Sequence, residues 1–98
     1  MHVISKKALT AFCEKHQTAE TALNAWHQIM EASTFENFAQ LKQTFSAVDW
    51  VKPYVVFDIA GNHFRLICVF HFNKQRVYIR HVFTHSEYDQ WNAKEATK

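Results

Sequence analysis

From Tyr54 onward the apolar residues of this chain recur at every second position, and a period of two is one that a β-sheet buries and a helix does not. Val55, Phe57 and Ile59 alternate with Val56, Asp58 and Ala60 up to the turn pair Gly61-Asn62, which contains the only glycine in the chain. A hairpin is the natural reading of that pair. Phe64, Leu66, Cys68, Phe70 and Phe72 then share one side of a second strand. After Asn73-Lys74 a third strand offers Val77, Ile79 and Phe83 to the same side. The outcome is an antiparallel meander with one apolar face, His81 lying on that face as a core histidine.

The first half has a helical period. Ser5 precedes Ala8, Leu9, Phe12 and Cys13, which predicts a helix over about residues 6–16 with Ser5 as its N-cap, after a short strand from His2 to Ile4. Ala22, Leu23, Trp26, Ile29 and Met30 predict a second helix over about 19–32, with Glu20 in its first turn where the dipole favours an anion. Ser33-Thr34-Phe35-Glu36 has the form of a capping box and introduces a short third helix carrying Phe38, Leu41 and Phe45. Thr84-His85-Ser86-Glu87 repeats that form, placing a terminal helix with Tyr88 and Trp91 directly after the last strand. The fold class is therefore α+β, an antiparallel sheet with one apolar face, preceded by helices and followed by a short C-terminal helix.

Ninety-eight residues, 48% of them hydrophobic, suit one domain over 1–98 with one core and room for one active surface. Cys13 and Cys68 have neither metal-site spacing nor the density of a secreted disulfide scaffold, so reduced thiols are expected. No apolar segment of signal-peptide length opens the chain, and the longest unbroken apolar run, Leu66 to Phe70, is too short to span a bilayer. The expected location is the cytoplasm, without membrane contact.

Charge is distributed unevenly. Residues 1–50 hold four lysines against five acids, whereas 51–98 hold seven lysines and arginines against four acids. No acid occurs between Asp58 and Glu87, while Arg65, Lys74, Arg76 and Arg80 alternate there with His63, His71, His81 and His85. Such a segment attracts a polyanion.

A two-residue loop at Asn73-Lys74 sets Ile67 opposite Arg80 and Arg65 opposite Val82, so that Arg65 and Arg80 become diagonal neighbours, roughly 7–8 Å apart, on the outward face. His85 follows in the first helical turn with Tyr88 three residues on, and the four side chains line one rim. RNA cleavage without a metal needs a base for the 2′-hydroxyl, an acid for the 5′-oxygen and cations for the phosphate, and these residue types are present. A second explanation stands beside this one: a two-residue loop at Gly61-Asn62 puts Asp58 opposite Arg65, where an ordinary cross-strand ion pair would account for the arginine. Tyr88 and Trp91 at a three-residue interval are more often the core-facing stripe of an amphipathic helix than a nucleotide platform, and Trp91 is assigned a structural role.

Other chemistries lack their residues. The histidines show no metal-ligand spacing, and Ser-His-Asp, Gly-rich phosphate-loop and HExxH patterns are missing, so neither metal nor cofactor is expected.

Val56-Phe57-Asp58-Ile59-Ala60-Gly61-Asn62-His63-Phe64-Arg65-Leu66-Ile67, Val77-Tyr78-Ile79-Arg80-His81-Val82 and Thr84-His85-Ser86-Glu87-Tyr88-Asp89 resemble the HigB family of toxins within the RelE-like group. The likeness extends over nearly the whole chain, with Ala60 at a place where a glycine is frequent. It implies a small RelE-like fold, a twisted antiparallel sheet with the N-terminal helices packed on one face and the active surface on the other, and an mRNA interferase acting on messages in the ribosomal A site. A helix-turn-helix antitoxin of HigA type would neutralise it, and operator DNA would be met only through that complex. It implies catalytic roles for Arg65, His85, Tyr88 and Arg80, with no cofactor, while Asn62, His63, Lys74 and Arg76 are candidates for RNA contact, His63 and Lys74 through their charge. A non-enzymatic RNA- or ribosome-binding translation inhibitor, or a plain protein-interaction domain, remain the rival classes.

Overall fold

The computed structural model describes all residues except Ser5, Asn62, Thr97 and Lys98, so the Ser5 cap and the Asn62 contact lie outside the described residues. Five strands, β1 (His2–Ile4), β2 (Asp49–Val51), β3 (Tyr54–Ile59), β4 (Phe64–His71) and β5 (Arg76–Thr84), form one sheet in the order β1-β5-β4-β3-β2. The meander β3 to β5 is antiparallel, as its alternation predicts; β2, which the sequence pattern did not place, pairs antiparallel with β3, and β1 joins β5 in parallel. Four α-helices, α1 (Lys6–Lys15), α2 (Glu20–Ala32), α3 (Phe38–Thr44) and α4 (His85–Ala96), complete the α+β fold. Among the described residues no helix is long and apolar enough to cross a membrane.

The N-terminal helices pack on one face of the sheet. Val55, Phe57, Ile59, Phe64, Leu66, Cys68, Val77 and Ile79 meet Leu9, Leu23, Trp26, Met30 and Leu41 in one core. Trp26 and Phe45 stand edge-on to Phe57 at ring distances of 5.4 and 5.1 Å. Cys68 is wholly buried there, its thiol pushed up by burial, while Cys13 is half-buried and likewise raised.

The helix start predicted at Ser33 lies elsewhere. Phe35 goes into the core, and α3 begins four residues later, where Asn37 Oδ1 accepts the Gln40 N–H at 2.9 Å and Gln40 Oε1 accepts the Glu36 N–H. A second polar pair of the same spacing thus outcompetes the hydroxyl-and-Glu pair, because extended backbone before it lets Phe35 be buried.

Ala60 and Gly61 both take left-handed backbone, at φ 54° and 60°, and the His63 N–H donates to the Ala60 carbonyl to close the β3–β4 hairpin. This register sets Asp58 opposite Arg65, as expected from a two-residue loop. At the other hairpin Gln75 is left-handed, its N–H donates to Phe72 O at 3.1 Å, and its Nε2 donates to Phe35 and Phe72 carbonyls.

One irregularity rearranges the second half of β5. Cys68 pairs with Ile79, but the next residue back, Ile67, pairs with His81 rather than Arg80. Arg80 is thus the extra residue of a β-bulge, and every side chain after it changes face. Val82 turns to the core, whereas His81 and Phe83 turn to the opposite side, correcting the expectation that both face the main core. Arg65 faces Phe83 instead of Val82.

That opposite side is not open to solvent as expected. Val56 and Ile67 are 2% and 0% exposed there. Helix α4 folds back across them, with Trp91 packed against Tyr54, His81, Phe83 and Tyr88 at ring distances of 5.1 to 6.0 Å. Trp91 is structural, as assigned. Helix α4 starts where the sequence places it: the Glu87 N–H donates to Thr84 Oγ1 at 3.2 Å, and the Thr84 N–H donates to Glu87 Oε1 at 2.8 Å. Replacing Thr84 by Ala removes half of this box and is expected to cost about 1 kcal/mol. Amide exchange should quicken in the first turn of α4 and leave β3 and β4 protected, and equal protection in both proteins would argue against the cap.

Candidate active site

Strand pairing and one helix start bring the site together. Arg65 sits near the beginning of β4, on the side away from the main core, with β3 supplying Asp58 beside it and α4 supplying His85 and Tyr88 above it. The His85 N–H donates to His63 O at 3.1 Å, which ties the helix start to the β3–β4 hairpin.

Arg65 is the only charged residue among the buried ones described, at 8% exposure. Its three guanidinium nitrogens are each engaged. Nε lies 2.9 Å from Asp58 Oδ1, Nη1 donates to Phe64 O at 3.2 Å, and Nη2 donates to His85 Nδ1 at 3.2 Å. The guanidinium carbon also lies 5.6 Å from the centre of the Tyr88 ring. The ion pair that stood as the plain explanation of Arg65 is therefore present, and it holds the guanidinium edge-on to His85. A guanidinium so placed has little water to screen it, and its fork matches two oxygens of one phosphate.

His85 is open where Arg65 is closed. Its side chain is 56% exposed, and Nε2 lies 3.3 Å from Oδ2 of Asp89, one helical turn on. Burial, and then the nearby Asp49 carboxylate, push the Tyr88 hydroxyl above the ordinary tyrosine range; Arg65 opposes the rise, and Asp58 and Asp89 add to it. The phenol therefore keeps its proton, as a hydrogen-bond or proton donor must.

The remaining sequence-predicted residues divide. Arg80 does not converge with Arg65: the bulge leaves it three residues along β5 from the partner of Arg65, a strand distance of roughly 10 Å. It is exposed, its guanidinium 5.8 Å from the Tyr78 ring, beside a groove shared with Lys15, the last residue of α1, and His16 after it. His63 is exposed at the hairpin next to His85. Lys74 and Arg76 are at the far end of the sheet, where Arg76 pairs with His71, roughly 20 Å along β4 from Arg65. Among the described residues no group of three His, Cys, Asp or Glu side chains is placed to hold a metal ion.

Two members escaped sequence reasoning. Asp89 was legible as a carboxylate four residues after His85 on one helix face. Asp49 was not, because β2 is only three residues long and carries no alternation of its own.

A family model described as HigB toxin, the RelE-like toxic component of a toxin–antitoxin system, matches residues 19–91. The chain is 35% identical over 101 aligned residues to the mRNA interferase toxin HigB of Escherichia coli K12, an alignment covering all of this chain and 97% of the relative. The mRNA interferase HigB of Shigella flexneri matches to the same extent, and that of Escherichia coli O6:H1 is 27% identical over 92% of this chain and 90% of its own. With the family matched across three quarters of its length, and with relatives aligned from end to end, this chain belongs to the HigB family of RelE-like toxins.

Proposed function

We propose that this toxin is an mRNA interferase that cuts messages in the ribosomal A site without a metal. The substrate's 2′-hydroxyl attacks the adjacent phosphate and leaves a 2′,3′-cyclic phosphate and a 5′-hydroxyl. The observation that carries this reading is the buried guanidinium of Arg65, fixed by Asp58 and aimed at the exposed imidazole of His85. The relatives' name, mRNA interferase, supports the cutting of messages.

Arg65 binds the scissile phosphate and offsets the charge that develops on it. His85 transfers a proton, and Tyr88, whose surroundings keep it protonated, donates to the leaving 5′-oxygen. Arg80, at the bulge, belongs to the catalytic group only as a more distant cation that holds a flanking phosphate. His63, with Asn62, contacts RNA next to the cut, while Lys74 and Arg76 act at the far end of the sheet through charge on RNA or ribosome.

Residues 1–98 work as one toxin domain in the cytoplasm. Neutralisation falls to a HigA-type helix-turn-helix antitoxin, and operator DNA is reached only through the toxin–antitoxin complex.

Induction of wild type and of His85→Ala in cells, with message ends mapped by primer extension, tests the reading. Wild type is expected to arrest growth and cut messages within codons, and His85→Ala to cut at least roughly a hundredfold less at unchanged helical content. Identical cuts from both would overturn the role of His85. Arrest with intact messages would favour a binding inhibitor. Asp58→Asn leaves Arg65 without its counter-charge and is expected to lower stability by roughly 2–3 kcal/mol, less than for a fully buried pair because Asp58 stays a quarter exposed. Urea denaturation measures the loss, and an unchanged midpoint would mean that the pair does not anchor Arg65.

A further inference from the structure

His85 lies between two neighbours that demand the same thing of it. A guanidinium nitrogen can only donate, so the 3.2 Å bond from Arg65 Nη2 needs the Nδ1 lone pair. A neutral ring then carries its one proton on Nε2, and Nε2 is the atom that lies 3.3 Å from the Asp89 carboxylate. The two demands come from separate elements, β4 and the second turn of α4, and they agree on one tautomer.

We propose that Asp89 is a positioning residue for proton transfer: it keeps the ring proton of His85 on Nε2 and leaves Nδ1 as the basic atom. Arg65 covers Nδ1 in the free protein, and an RNA phosphate uncovers it. The assignment rests on the RNA-cleaving reading above and adds to it which atom is the base and what readies it.

The scissile phosphate and Nδ1 are rival acceptors for Nη2, and the phosphate, being charged, wins that edge. Nδ1 then takes the proton of the 2′-hydroxyl, the 2′-oxygen bonds to phosphorus and the P–O5′ bond breaks. The Tyr88 hydroxyl gives its proton to the 5′-oxygen and recovers one, through water, from the imidazolium. While the ring is charged, its Nε2–H stands against Asp89, the arrangement by which a carboxylate orients and stabilises a catalytic imidazolium. The toxin is thus least reactive when no phosphate is bound, since its base is covered by its own phosphate ligand.

Nitrogen-15 NMR of histidine-labelled full-length protein reads the tautomer directly. In the free wild type, His85 is expected as the neutral Nε2–H form. Adding a dinucleotide with a 2′-deoxy group at the cleavage position should shift Nδ1 and leave Nε2 protonated. With programmed ribosomes, Asp89→Ala should lower kcat roughly tenfold at unchanged KM, a modest loss because the pair is exposed, and Asp89→Asn should recover part of it. A ring proton on Nδ1 in the free protein, or equal kcat in wild type and Asp89→Ala with α4 folded, overturns the proposal. Failure of the RNA-cleaving reading is separable, because there wild type itself leaves messages intact while the tautomer is still measured.

Discussion

The ion pair between Arg65 and Asp58 is the constraint on which the site depends. A guanidinium that is 10% exposed would be costly if it stood alone, and Asp58 Oδ1 at 2.9 Å offsets that cost while fixing the plane of the fork. The pair exists because β3 and β4 are joined by the tight turn in which Ala60 and Gly61 take left-handed backbone. A hairpin one residue longer or shorter would send Arg65 to the main core or Asp58 away from it. The ion pair that competed with the phosphate-binding reading is therefore compatible with it: Asp58 occupies one edge of the guanidinium and leaves another directed at His85.

Helix α4 is the second determinant. It lies on the sheet face that carries Arg65, where Val56 and Ile67 are buried and Trp91 packs against Tyr54, His81 and Phe83, and its first residue is the imidazole that Arg65 meets. One short helix thus encloses the cation and presents the imidazole of His85 at the edge of the enclosure. The same burial, with Asp49, Asp58 and Asp89 around it, holds Tyr88 in its protonated form. An exposed imidazole and an enclosed guanidinium thus lie side by side, which the proposed cleavage uses for proton transfer and for the charge on the phosphate.

Much of this was legible in the residues. The period of two from Tyr54, the Gly61 turn and the Thr84–Glu87 box led to the meander, to the Asp58–Arg65 register and to His85 at a helix start beside them. What was not legible has physical reasons. The bulge at Arg80 carries no glycine or other local signal, yet it turns His81 and Phe83 toward α4 and separates Arg80 from Arg65. Alternation identifies a face as apolar or mixed, and it does not tell whether a later helix will cover the mixed one. Ser33 and Asn37 each begin a polar pair of capping spacing, and only the burial of Phe35 decides between them.

The chemistry at Arg65 is tested most directly by the ends of the cut message. Attack by the substrate's own 2′-hydroxyl, with the guanidinium on the phosphate, leaves 2′,3′-cyclic phosphate on one fragment and 5′-hydroxyl on the other. End-group analysis of message cleaved on ribosomes by purified toxin is expected to find those two groups, and to find no new ends with Arg65→Ala. Fragments bearing 5′-phosphate and 3′-hydroxyl would mean that water, rather than the 2′-hydroxyl, is the nucleophile, and would contradict the mechanism built on Arg65 and His85.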